Sequence, residues 1–182
     1  MGTAMAQTLY GKNAPAGRLN MTWYNSDDDL PDIDEYDIIR GKRTYRYFDK
    51  EVLYPFGHGL SYTTYKYEDL KLSQQEISKD GSVDVSVKVT NTGDRDGVEI
   101  VQLYIRDKFS CVTRPVKELK DFARVALKAG ESKTVNFKIT PDKLAFYDIK
   151  MNKIVEPGEF IVMVGASSDD KDLLKETFVV KY

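Results

Sequence analysis

The last two-thirds of the chain alternates apolar and polar positions with a period of two. Val83, Val85, Val87 and Val89 interleave with Asp84, Ser86 and Lys88, the pattern of a strand with one face buried. The run stops at Asn91-Thr92-Gly93-Asp94-Arg95-Asp96-Gly97, where turn formers dominate. Beyond it Ile100, Val101, Leu103 and Ile105 mark a strand buried more continuously. Phe122, Val125 and Leu127 mark another, ended by Lys128-Ala129-Gly130-Glu131, and Val135, Phe137 and Ile139 alternate up to Pro141. Met151-Asn152-Lys153 reads as the tip of a short hairpin. Glu156-Pro157-Gly158-Glu159 reads as a type II turn, in which Pro presets φ and Gly accepts a positive one. With Phe160 to Val164 and Thr177 to Val180 the pattern holds about seven strands spaced ~8–12 residues apart, which predicts an immunoglobulin-like antiparallel β-sandwich.

The first 65 residues lack that rhythm. Thr3 to Tyr10 reads as a short helix closed by Gly11, and Leu19 to Tyr24 as one apolar strand. One helix and one strand cannot bury their apolar faces alone, so they predict the remnant of an α/β domain preceding a mainly β protein. The expected division is an α/β remnant over 1–24, a wrapping linker over 25–66 and the sandwich over 67–182. A piece cut from a larger polypeptide fits this organisation better than a natural unit. Leu9, Leu19, Met21 and Trp23 then lack their usual cover, which predicts self-association through residues 1–65.

Composition narrows the function classes. The chain has 182 residues, 41% of them apolar and 31% charged, with a formal net charge of −2. Lys and Arg are dispersed, which argues against a nucleic-acid partner. No apolar run approaches the roughly 20 residues that span a bilayer, so no membrane partner is expected. Met1 to Met5 lacks the charged and apolar regions of a signal peptide, but the first residues of a piece say nothing about export, so the compartment is left open with a lean to cytoplasmic. Cys111 is the only cysteine and is expected to be a small, semi-buried side chain. No cofactor or metal is expected. The acidic run from Asp27 to Glu35 lacks the glycine and the closing glutamate of an EF-hand loop and reads as a solvated surface. Asn20-Met21-Thr22 matches a glycosylation sequon but sits in the expected strand and reads as chance.

The interesting chemistry lies between residues 43 and 67. His58 is the single histidine; its flanks Gly57 and Gly59 suggest a tight turn whose ring fills a niche between domains. Tyr45, Tyr47, Phe48, Tyr54, Phe56, Tyr62, Tyr65 and Tyr67 form an aromatic cluster. Such rings serve either as interface glue or as faces that stack on sugars, and glue is the favoured reading.

Tyr54-Pro55-Phe56-Gly57-His58-Gly59-Leu60-Ser61-Tyr62-Thr63 resembles a signature of multidomain family 3 glycoside hydrolases, where it joins an α/β sandwich domain to a C-terminal fibronectin type III-like domain. Gly11 through Pro15 with Gly17, Arg18 and Leu19 is similar to the closing loop and last strand of that α/β domain. Arg43-Thr44-Tyr45-Arg46-Tyr47-Phe48 is similar to the segment before the signature. Val89 to Gly93, Val101 to Tyr104, Arg114 to Leu119 and Glu156 to Phe160 resemble the fibronectin-like domain. Ala16 and Asn20 depart from the family's usual Ser and Pro. The resemblance implies the accessory end of a β-glucosidase or β-xylosidase. Its partners would be the upstream catalytic domains of the same polypeptide and, in the intact enzyme, a β-linked oligosaccharide.

The family's nucleophile aspartate and acid/base glutamate lie upstream of everything matched, so no catalytic residue is assigned. A retaining glycosidase needs two carboxyl groups about 5–5.5 Å apart in a water-excluding cleft, and the chain alone is expected to be inactive. Arg43, Tyr45, Tyr47 and His58 are the expected substrate contacts in the intact enzyme, with Arg46 reaching the same way. The alternatives are a carbohydrate-binding or protein-interaction module.

Overall fold

The computed structural model describes residues 2–181. The chain order is α1 (Gly2–Leu9), α2 (Ile38–Gly41), α3 (Thr44–Tyr47), β1 (Tyr65–Leu72), β2 (Glu76–Ser78), β3 (Val83–Asn91), β4 (Gly97–Asp107) and β5 (Glu118–Leu127). Then come β6 (Ser132–Ile139), α4 (Pro141–Leu144), β7 (Phe146–Tyr147), β8 (Lys153–Ile154), β9 (Gly158–Gly165) and β10 (Leu173–Lys181). The strands form a three-stranded sheet, β1-β3-β6, packed on a five-stranded sheet, β2-β10-β9-β4-β5; β7 and β8 pair as a separate hairpin. Pairing is antiparallel except for β2, which runs parallel to β10 at the sheet edge.

The alternation in β3 is realised in full. Val83, Val85, Val87 and Val89 are completely buried and meet Val101, Leu103, Ile105, Phe160, Val162 and Phe178 from the other sheet. The denser apolar run in β4 has a different cause. Successive side chains of a strand point to opposite faces, so Val101, Leu103 and Ile105 fill the core while Gln102 and Tyr104 face outward. Yet Gln102 and Tyr104 are 3% and 0% exposed, because the segment before β1 lies across that outer face as a strap.

Several local expectations change. Leu19 to Tyr24 is not a strand. It runs beside the Tyr54–His58 segment with backbone bonds from Leu19 N to His58 O, Gly57 N to Leu19 O and Trp23 N to Tyr54 O, and only Trp23 and Tyr54 make a bridge. With a single partner and no second neighbour, a continuous ladder does not form. Gly158 does not take a positive φ, so the type II turn is absent; this glycine opens β9 opposite Val180 instead. Met151, at the hairpin tip, does take φ 63°, stabilised by Asp148, whose carboxylate accepts from Lys150 N and Asn152 N. Cys111 is exposed rather than semi-buried. Arg43 to Phe48 contains the single helical turn of α3.

Candidate functional site

The strap is fastened to the sandwich by rings and glycines. Tyr45 stacks on Phe56 with centroids 4.2 Å apart, and the Tyr104 ring meets Tyr45 edge-on at 5.9 Å. The Tyr45 hydroxyl accepts from the Leu119 backbone N–H at 3.1 Å. Backbone bonds from Val116 N to Arg46 O and from Ser168 N to Phe56 O, each 2.9 Å, tie both sides of this stack to the sandwich loops. Below it, Gln102 Nε2 donates to Gly57 O at 3.1 Å and to Ala166 O at 2.5 Å, while the Tyr104 hydroxyl donates to Gln102 Oε1.

The glycines around His58 follow from this close approach. Gly57 has φ +82°, and a Cβ there would lie 2.0 Å from Gln102 Oε1. A Cβ on Gly59 would lie 2.2 Å from Gly17 O. His58 itself stacks its ring on Tyr54, with centroids 5.1 Å apart.

A polar network closes the end of the sandwich. The Arg18 guanidinium pairs with Glu99, and the Tyr67 hydroxyl donates to Glu99 Oε1 at 2.6 Å. Glu99 sits on β4 and Tyr67 on β1, so the network joins both sheets to the strap. Glu99 is 1% exposed, and this burial pushes its carboxyl above the ordinary 4.5 despite the opposing pull of Tyr67 and Arg18. Burial, with Glu99 nearby, holds the Tyr67 phenol well above its usual range.

The structure separates the four expected substrate contacts. Tyr45 and His58 belong to the seam just described. Arg43 donates to the carbonyls of Asp32 and Glu35 at 3.0 and 3.2 Å. With Tyr47 and Tyr36 it lines an open cleft of about 470 Å³ formed within residues 33–47. Arg46 lies 3.9 Å from Glu118. Among the described residues, no cluster of three or more His, Cys, Asp or Glu side chains could hold a metal. Arg18, Glu99 and Gln102 were not anticipated. Their signal was available: Glu99 and Gln102 interrupt an otherwise apolar strand, and buried polar residues require partners.

The site is thus a strap packed across the outer face of a β-sandwich and tied to it by Gln102, Glu99 and Tyr45. Residues 1–62 match the glycosyl hydrolase family 3 C-terminal domain, and residues 99–168 match the fibronectin type III-like domain. A β-xylosidase from Formosa agariphila is 44% identical over 183 residues, covering 99% of this chain and 25% of that protein. A β-glucosidase from Bacteroides ovatus is 43% identical over 93% of this chain and 25% of its own length. Among solved structures, a β-glucosidase from Erythrobacter marinus superposes with a TM-score of 0.86 at 37% identity, over 99% of this chain and 24% of that one. A glucose complex of a Listeria innocua β-glucosidase gives 0.83 at 34% identity, over 100% and 26%. The chain belongs to glycoside hydrolase family 3 and corresponds to its C-terminal portion. It spans about a quarter of the length of the curated relatives it matches.

Proposed function

We propose that this chain is the accessory C-terminal region of an enzyme that removes terminal β-D-glucosyl or β-D-xylosyl residues. Its work is to hold and stabilise the upstream catalytic domains. The observation that carries this is the exposed apolar surface of the segment before the sandwich. Leu9, Met21, Trp23, Leu53 and Leu60 are 49–75% exposed, and the segment is tied to the sandwich through Gln102 and Glu99. Exposed apolar side chains on an anchored segment are suited to burial against a larger body of the same polypeptide. Within the segment before the sandwich, residues 1–24 close an α/β domain and 25–66 wrap the sandwich of 67–182, with Tyr65 and Lys66 already in β1. Arg43, Tyr45, Tyr47 and His58 are the proposed oligosaccharide contacts of the intact enzyme, with Tyr45 also fastening the strap.

The test is hydrolysis of aryl β-glucoside and aryl β-xyloside at high protein concentration. The chain alone should release nothing above buffer, and joining it to the upstream domains of the Formosa relative should give a stable, active protein. Release by the chain alone, abolished by changing one of its carboxylates, would overturn the reading. Left uncovered, the same surface should pair with a second copy; a strictly monomeric species across a wide concentration range in sedimentation would remove that part.

A further inference from the structure

The α3 turn meets two different neighbours. Tyr45 and Arg46 reach the sandwich, while Arg43, Thr44 and Tyr47 line the cleft of about 470 Å³ formed within residues 33–47. The turn does not keep its shape by itself. Lys42 has φ +43° and Thr44 φ +62°, and a β-branched residue such as threonine rarely adopts that left-handed region. Backbone of this kind persists only where its surroundings hold it. The Thr44 N–H donates to the Tyr24 hydroxyl at 2.9 Å. Three further ties converge on residues 116–119, where the sandwich enters β5. Val116 N donates to Arg46 O at 2.9 Å, Leu119 N donates to the Tyr45 hydroxyl at 3.1 Å, and the Arg46 guanidinium faces Glu118 at 3.9 Å.

Glu118 is the charged centre of these ties. Its carboxylate gathers Lys120 at 3.0 Å and Arg114 at 3.4 Å besides Arg46. Three cations grouped around one anion repel one another once that anion is removed. Which of them yields depends on how each is held. The Arg114 guanidinium lies over the Phe146 ring at 4.5 Å and also feels Asp107 and Glu156. The side chains of Arg114 and Lys120 are 12% and 14% exposed. Arg46 is 46% exposed and makes the longest of the three contacts, so it is the one free to swing, and α3 moves with it. The two ties that remain are neutral hydrogen bonds, individually weaker than charge-assisted ones.

We propose that Glu118 is a positioning residue for substrate recognition in the intact enzyme. Through Arg46 it fixes α3, so that Arg43 and Tyr47 keep their places along the cleft. A contact at the mouth of a site meets the part of a sugar chain that protrudes from it. Glu118 therefore sets the affinity for oligosaccharides, through the sugars beyond the one being removed, and touches neither substrate nor reacting atoms. This role rests on the proposed reading of Arg43 and Tyr47 as oligosaccharide contacts, and it extends recognition from the strap to a residue of the sandwich.

The test is steady-state kinetics of this chain joined to the upstream domains of the Formosa relative, with xylotriose and with an aryl β-xyloside. Glu118→Ala should raise KM for xylotriose about five- to tenfold, with kcat and the aryl β-xyloside KM changed less than about twofold. A variant that merely loosened the fold would change both substrates alike. In an Arg43→Ala/Tyr47→Ala background the same substitution should add nothing, because its effect passes through those two side chains. Should Glu118→Ala not fold, Glu118→Gln keeps the shape, loses the charge and should show the same split between substrates. The proposal fails if Arg43→Ala/Tyr47→Ala raises the xylotriose KM and neither Glu118 variant does. It also fails if the two substrates change alike, or if the Glu118 effect persists in full in the double background. An inactive joined protein, or an unchanged xylotriose KM in Arg43→Ala/Tyr47→Ala, would overturn the proposed function on which this role rests, and the role with it.

Discussion

The sandwich and the strap are held by different physics. In the sandwich, seven valines, isoleucines and leucines of β3, β4 and β6 are 0% exposed, and the core forms one continuous apolar cluster. In residues 2–64 only Gly41, Gly57 and Thr63 are buried, two of them glycines with no side chain to bury. The strap therefore gains little from apolar burial of its own. It is fixed by a buried ion pair, a glutamine with three hydrogen bonds, a stacked ring pair and glycines that allow close approach. Apolar burial tolerates small adjustments, whereas each of these fasteners depends on a single geometry. The strap should therefore be the region that one substitution releases.

That contrast can be broken from both sides. The largest effect belongs to the sandwich: Phe178→Ala removes a buried ring stacked on Phe160 at 5.5 Å and should cost about 3–5 kcal/mol by denaturant unfolding, with every probe lost together. Next, Arg18→Ala strands Glu99 without its counter-charge and should cost about 3 kcal/mol. Replacing both residues by methionine should recover most of that loss; if the double variant is no more stable than the single, the pair is not what joins strap to sandwich. Gly57→Ala should cost about 1–3 kcal/mol for its positive φ alone, with the Gln102 clash in addition. Limited proteolysis of it should cut within residues 12–63 while β-sheet circular dichroism persists; a cooperative loss of both would erase the distinction between the regions.

The smallest effect is a pH dependence. Burial raises the phenols of Tyr65, Tyr67 and Tyr104 above the ordinary value of 10.0. A group whose folded pKa is raised contributes its full stability below the unfolded value and loses it as pH climbs toward the folded one. Stability should therefore fall as pH rises above 10, and absorbance at 295 nm should show these tyrosines ionising only as the chain unfolds. Tyr67→Phe should flatten the fall. An identical profile in that variant would mean that its hydroxyl is already solvated.

The alternation of Val83 to Val89 and the turn at Asn91 to Gly97 made the sandwich legible before any coordinates, because period-two burial is a local property. The signature from Tyr54 to Thr63 likewise carried the family and the order of the two modules. Other features were beyond local reading. Leu19 to Tyr24 has strand composition, but strands exist only by pairing, and it meets one short partner. Tyr45 stands in an aromatic cluster whose sequence does not say what each ring touches; packing sets it against Phe56 and the Leu119 backbone. Periodicity records which face of an element is buried. Which polar groups end up buried, and whether a partner reaches them, depends on elements as much as 81 residues apart along the chain, as Arg18 and Glu99 are, and only their packing decides it.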